Sequence, residues 1–174
     1  EAFKNISDIY LDKIEKSAKF LRYPLGHPLS NKKDVIPNTI LIILSGEARV
    51  LHGTTAKAQT ITKLKSDNFV GLAPLIRASG CELITASTDI IALAISDNLI
   101  LDLYKNDKSF RNWSNTNIQK TEIYDLANQI IKKTSELKIK FLFESLLENV
   151  EMVILENDSR TPKDESRIAI CGSN

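Results

Sequence analysis

The stretch NFVGLAPLIRASGCELITAST, residues 68–88, gathers the residue types most suited to holding a ligand. Gly71 follows an apolar strand end, and a glycine there lets the backbone turn sharply and approach a guest closely. Leu72 to Arg77 is long enough for one or two helical turns, with Pro74 in the first turn, where its missing N–H is no loss. The free N–H groups at a helix start attract anions. The chemistry on offer is therefore capture of an anion such as phosphate. A second reading stands beside it, a strand-to-strand connection that happens to be helical.

Catalytic chemistry has less to work with. The two histidines, His27 and His52, are too few for a three-histidine metal site, and no HxH or HExxH pattern occurs. Both read as turn residues, His27 in LGHPL and His52 before Gly53. No GxSxG elbow and no P-loop is present. Cys81 has no positioned base in view and reads as a small buried residue at a strand start. The expectation is a chain with no catalytic residues, no metal and no obligatory cofactor.

The elements that must position the 68–88 stretch follow from the texture of the chain. Residues 6 to 23 read as a helix, with Ile6, Ile9, Tyr10, Ile14, Ala18 and Leu21 at helical spacing and Ser7 and Asp8 as candidate caps. Most glycines and prolines then fall between residues 24 and 80, separating short β-rich runs: TILIIL (39–44), ARVLH (48–52), AQTITKL (58–64), ELITAST (82–88) and IIALAI (90–95). Strands at such spacing predict an antiparallel sandwich or barrel. After Ile95 the pattern turns helical, over 97–107, 108–115, about 117–136 and 140–150. The third of these carries an apolar stripe of Ile123, Leu126, Ala127, Ile130, Ile131, Thr134 and Leu137. NDSRTPKDES (157–166) has the composition of a linker.

Bulk numbers narrow the function. With 174 residues, 43% hydrophobic and 26% charged, the chain suits one packed domain with a short appendage. A net charge of +1 without like-charge blocks argues against a nucleic-acid track, and no apolar run has the length of a membrane span. Cys81 and Cys171 stand far apart with no CxxC, which points to a reducing compartment, the cytoplasm. The chain does not begin with Met and stops at RIAICGSN, so a piece of a longer protein is expected.

The run from Tyr23 to Trp113 resembles the cyclic nucleotide-binding domain family. YPLGHPL stands where that family opens its barrel, ILIILSGEARVL is similar to its strand, Gly turn and next strand, and IIALAISDNLILDLYKND to its closing strand and helix. FVGLAPLIRASGCELITAST resembles its phosphate-binding cassette. The resemblance implies a mainly β fold with flanking helices, an antiparallel β-barrel or double-stranded jelly roll. Its parts would be a helical lead at 1–22, a barrel at 23–96, helices at 97–150, and a strand and linker at 151–174.

The resemblance also implies a site, and a departure from it. The family's cassette places a Glu on the ribose hydroxyl and an Arg on the cyclic phosphate. Here Gly71 is kept, Leu72 takes the Glu position, and the Arg position falls at Gly80 or Cys81. Arg77 is the nearest cation, and Glu82 stands near where the phosphate would lie. The cassette residues Gly71, Leu72, Ala73, Arg77, Gly80, Cys81 and Glu82 are thus expected to form a degenerate pocket that binds cyclic AMP or cyclic GMP weakly or not at all. Ile130 and Thr134 are expected on the helix that covers it, in the family a relay of ligand binding. That stripe could instead pair with a second copy.

More closely, VIPNTILIILSGEARVLHG followed by the cassette resembles N-terminal domains of multidomain bacterial ABC exporters for peptides or toxins, notably cyanobacterial ones. This implies a regulatory module at the cytoplasmic face, tethered to the inner membrane through membrane and ATPase domains. The alternative is the effector domain of a catabolite-activator-type transcription regulator. It would need a helix-turn-helix, and KIKFLFESLLENV is followed by strand-like EMVIL and a polar linker.

Overall fold

The computed structural model describes residues 1–30, 36–53, 57–77, 83–132 and 138–151. The described chain runs α1 (Asp8–Ser17), β1 (Lys19–Tyr23), β2 (Pro28–Ser30), β3 (Thr39–Ser45), β4 (Ala48–His52), β5 (Gln59–Leu64), β6 (Phe69–Val70), α2 (Leu72–Arg77), β7 (Leu83–Ala86), β8 (Ile90–Ser96), α3 (Asp97–Asn106), α4 (Lys108–Thr116), α5 (Lys120–Ile131) and α6 (Ile139–Asn149). The strands form two four-stranded antiparallel sheets, ordered β1-β8-β3-β6 and β2-β7-β4-β5. The described strands thus make a two-sheet roll, without hydrogen bonds closing them into one barrel.

The apolar run TILIIL does not alternate with polar residues because β3 is buried on both faces. Leu41 and Ile43 join Val50, Ile61, Leu64, Ile84, Ala86, Ile90 and Ala92 in an inner cluster between the sheets. Ile40 and Ile42 point the other way, into an outer cluster with Tyr10 and Ile14 of α1, Phe69, Leu72, Ile95, Ile100, Leu103 and Phe110. Phe3 stacks on Phe110 with ring centroids 5.8 Å apart. The outer cluster thereby seats α1 to α4 against the first sheet.

The inner cluster is completed from outside the sheets. Ile123, Tyr124 and Ala127 of α5 and Ile139 and Phe143 of α6 belong to it, and Phe143 is 1% exposed. Ile123 and Ala127 of the stripe foreseen on the long helix therefore pack on the roll of their own chain, with Ile131 partly buried against it.

One predicted element needs correction. The helix expected over 6–23 ends at Ser17, because Ala18 takes an extended backbone with ψ 148°. Leu21, counted in its stripe, lies on β1, which pairs with β8 from Lys19↔Ala94 to Tyr23↔Ile90. Ser7 is the cap position, yet its side chain makes no capping bond. Its backbone N–H donates instead to Asp107 Oδ2 at 3.0 Å. The reading of 132–136 as helix falls partly, and the strand and linker beyond 151 fall wholly, outside the described residues.

Candidate functional site

Asn68 and the two-residue strand β6 deliver the chain to Gly71, which sits at φ 89°. A left-handed backbone of this kind favours glycine. Space forbids a side chain as well, since a Cβ on Gly71 would lie 2.8 Å from Pro37 Cγ and 3.2 Å from Ile40 Cδ1. The turn therefore lies hard against β3, and α2 starts at Leu72 as the sequence suggested.

The residues of α2 then part company. Leu72 is 3% exposed and packs into the outer apolar cluster with Phe69, Leu75 and Phe110. Ala73 is also buried and lines a cleft of about 10 Å³ with Leu72, Ile76, Arg77, Ser114, Gln119 and Glu122. That volume suits one water-sized group. Ser114 Oγ is buried there and meets no hydrogen-bond partner among the described residues.

Arg77 reaches out of α2 toward α4 and α5. Its Nε donates to Glu122 Oε1 at 2.9 Å, one Nη to the Ser114 carbonyl at 2.9 Å, and the other to Asn115 Oδ1 at 3.4 Å. Tyr104 Oη donates to the same Asn115 oxygen at 2.8 Å. The Arg77 and Glu122 side chains are 17% and 15% exposed, so the ion pair is largely withdrawn from solvent. Glu122 also caps its own helix. Its Oε2 accepts the Gln119 N–H at 2.6 Å, half of a capping box at the start of α5.

Two more polar ties fix α5 to the roll. His52 Nδ1 and Tyr124 Oη lie 3.0 Å apart, and Lys120 Nζ donates to the Lys63 carbonyl at 3.1 Å. His27 sits in its exposed turn against Tyr23, with ring centroids 5.2 Å apart. Among the described residues, no three His, Cys, Asp or Glu side chains are grouped to hold a metal ion.

The sequence-predicted site residues are thus only partly brought together. Gly71, Leu72, Ala73 and Arg77 share one turn and helix. Ile130 is half-buried on α5. Gly80, Cys81, Glu82 and Thr134 lie outside the described residues. Glu122, Ser114 and Asn115 were not singled out beforehand. Glu122 carried one readable signal, its place three residues after Gln119 at a helix start. The pairing of Glu122 with Arg77, 45 positions away, left no such signal.

No family model and no curated protein sequence matches the chain. Solved structures do. One, from Geobacter metallireducens, with an assigned role in cyclic nucleotide binding, has a TM-score of 0.53 at 14% identity, over 64% of this chain and 81% of its own. The sensor domain of the transcriptional regulator DNR from Pseudomonas aeruginosa has a TM-score of 0.54 at 11% identity, over 63% and 78%. The regulatory subunit of a cAMP-independent protein kinase A from Trypanosoma brucei has a TM-score of 0.54 at 10% identity, over 84% and 47%. At these identities the likeness establishes architecture, and the chain carries the two-sheet roll with flanking helices of cyclic nucleotide-binding-type domains.

Proposed function

We propose that the chain is a non-catalytic regulatory module that holds cyclic AMP and cyclic GMP weakly or not at all. The observation that carries this reading is the state of two residues of the segment, Leu72 and Arg77. Leu72, at the position of the ribose-binding Glu, is buried among apolar side chains. Arg77, the nearest cation, is engaged with Glu122, Asn115 and the Ser114 carbonyl. A phosphate without its guanidinium loses about 2–5 kcal/mol, roughly 30- to several-thousand-fold in affinity. Support also comes from the Trypanosoma regulatory subunit, which shares the architecture and belongs to a cAMP-independent kinase. Titration calorimetry of the purified chain with cyclic AMP and cyclic GMP tests the reading. Heats too small to fit below millimolar concentration are expected, and a micromolar dissociation constant would refute it.

The module's setting is the second part of the proposal. Its resemblance to N-terminal exporter domains favours a place at the cytoplasmic face, joined to membrane and ATPase domains of a peptide or toxin exporter and tethered to the inner membrane through them. No described helix is itself long and apolar enough to cross a membrane. The competing setting, a transcription regulator, draws on the likeness to the DNR sensor domain. The parent gene decides between them: downstream membrane spans with an ATPase motif support the first, a helix-turn-helix the second.

A further inference from the structure

We propose that the outer edge of β1 docks a second copy of this chain, joining the two first sheets into one across a two-fold axis at Leu21. The basis is an edge strand that is bare in two ways. β1 is the end strand of its sheet, bonded on one side to β8, and no described strand pairs with its other side. An unpaired edge presents a row of N–H and C=O groups, a template for another strand. The outer face of the sheet is uncovered beside it, where Phe20 is 75% exposed and Ile91 44%. Phe20 pairs with Leu93, and Arg22 with Ile91, so the apolar patch and the edge belong to one surface. Elsewhere the same face lies under α1 to α4, through Ile40, Ile42 and Phe69.

The ends of β1 and its residue order choose the occupant. The Ala18 N–H donates to the Ile14 carbonyl, and Pro24 has no N–H, so the strand open to pairing is Lys19–Tyr23. Directly opposed residues point to the same face of a sheet, so the register of an antiparallel copy changes only in steps of two residues. With Leu21 opposite the copy's Leu21, all five residues pair. Phe20 then meets the copy's Arg22, and Lys19 meets its Tyr23. Both pairs set a cation beside an aromatic ring, and no like charges are opposed. The next register one way sets Arg22 against Arg22. The next register the other way brings Ala18 and the end of α1 into the joint. The exposed Asp89 carboxylate, 3.3 Å from Arg22, balances the guanidinium at the joint. β1 is thus complementary to itself, as a two-fold contact requires. Five pairs and a small apolar patch make a weak dimer, with a dissociation constant on the order of 100 μM.

Sedimentation equilibrium of the whole chain from about 10 μM to about 1 mM, with hydrogen exchange over the same range, tests this. The average mass should rise from one chain toward two, and amides within Lys19–Tyr23 should slow as it does. Phe20→Lys sets like charges against each other at both symmetry-related places and should weaken association about tenfold or more. Adding Arg22→Glu restores opposite charges in this register alone, and should bring association back toward that of the parent. Both side chains are exposed, so neither change disturbs a core. A single-chain mass at every concentration would overturn the proposal. So would a dimer that Phe20→Lys leaves intact, or a double variant no better than the single one. Protection of Lys19–Tyr23 that is the same at every concentration would mean that another segment of the same chain holds the edge, and would overturn it too. None of these outcomes touches the weak-binding reading, which the cyclic nucleotide titration judges separately.

Discussion

Gly71 and Leu72 are neighbours with opposite tolerances. Gly71 combines φ 89° with a Cβ position 2.8 Å from Pro37 Cγ, so Gly71→Ala should lower stability by about 1–3 kcal/mol, read from urea unfolding. Leu72→Glu, which would restore the residue type of the family cassette, places a carboxylate in the cluster of Phe69, Leu75 and Phe110. An uncompensated buried charge costs about 3–5 kcal/mol. The variant is therefore expected to melt well below the parent and to gain no affinity for cyclic AMP; a stable variant with new affinity would show that position 72 can face the ligand. The glycine requirement was legible in the sequence because FVG followed by a short helix leaves the turn few alternatives. The commitment of Arg77 was not, because its partners Ser114, Asn115 and Glu122 come together only through tertiary folding.

At the scale of elements, Asp107 links two helix starts. Its Oδ2 accepts the Ser7 N–H ahead of α1 and its Oδ1 accepts the Phe110 N–H of α4. Burial raises its pKa, and the amide bonds from Phe110, Ser7 and Ser109 outweigh that, leaving it below the ordinary carboxylate value of 3.8. A depressed folded-state pKa means the stabilisation is complete above the unfolded value and fades as pH falls through the folded one. Asp107→Ala should therefore lose about 0.5–2 kcal/mol at neutral pH, and this loss should shrink below about pH 4. A difference in unfolding free energy that stays constant from pH 7 to pH 2.5 would contradict this. The elements were mostly readable: β3, β4, β5, β8, α3, α4 and α6 lie within a residue or two of expectation. The failures have physical causes. In β1, Leu21 happens to continue the helical stripe of α1, and five residues are too few for a period of two to stand out. The three-residue β2 and two-residue β6 carry almost no pattern at all.

For the whole molecule, the first sheet is the divider between two cores. Its outer face holds α1 to α4, and its inner face meets the second sheet, α5 and α6. Phe143 lies deep in the inner core at 1% exposure. Phe143→Ala should cost about 3–5 kcal/mol and raise exchange in α5 and α6. Loss below 1 kcal/mol would mean that α6 is peripheral. The strand spacing pointed to an antiparallel sandwich or barrel without deciding between them. That the helices would share the roll's inner core was only half visible, since the stripe at Ile123, Ala127 and Ile131 serves a roll or a second copy equally well.

The proposed loss of cyclic nucleotide binding turns on Gly71, Leu72, Ala73 and Arg77. Amide-resolved NMR titration of the chain with cyclic AMP tests this at the residues concerned. The Gly71, Leu72, Ala73 and Arg77 signals are expected not to shift saturably at submillimolar ligand. Saturable shifts at these four amides with a micromolar midpoint would contradict it.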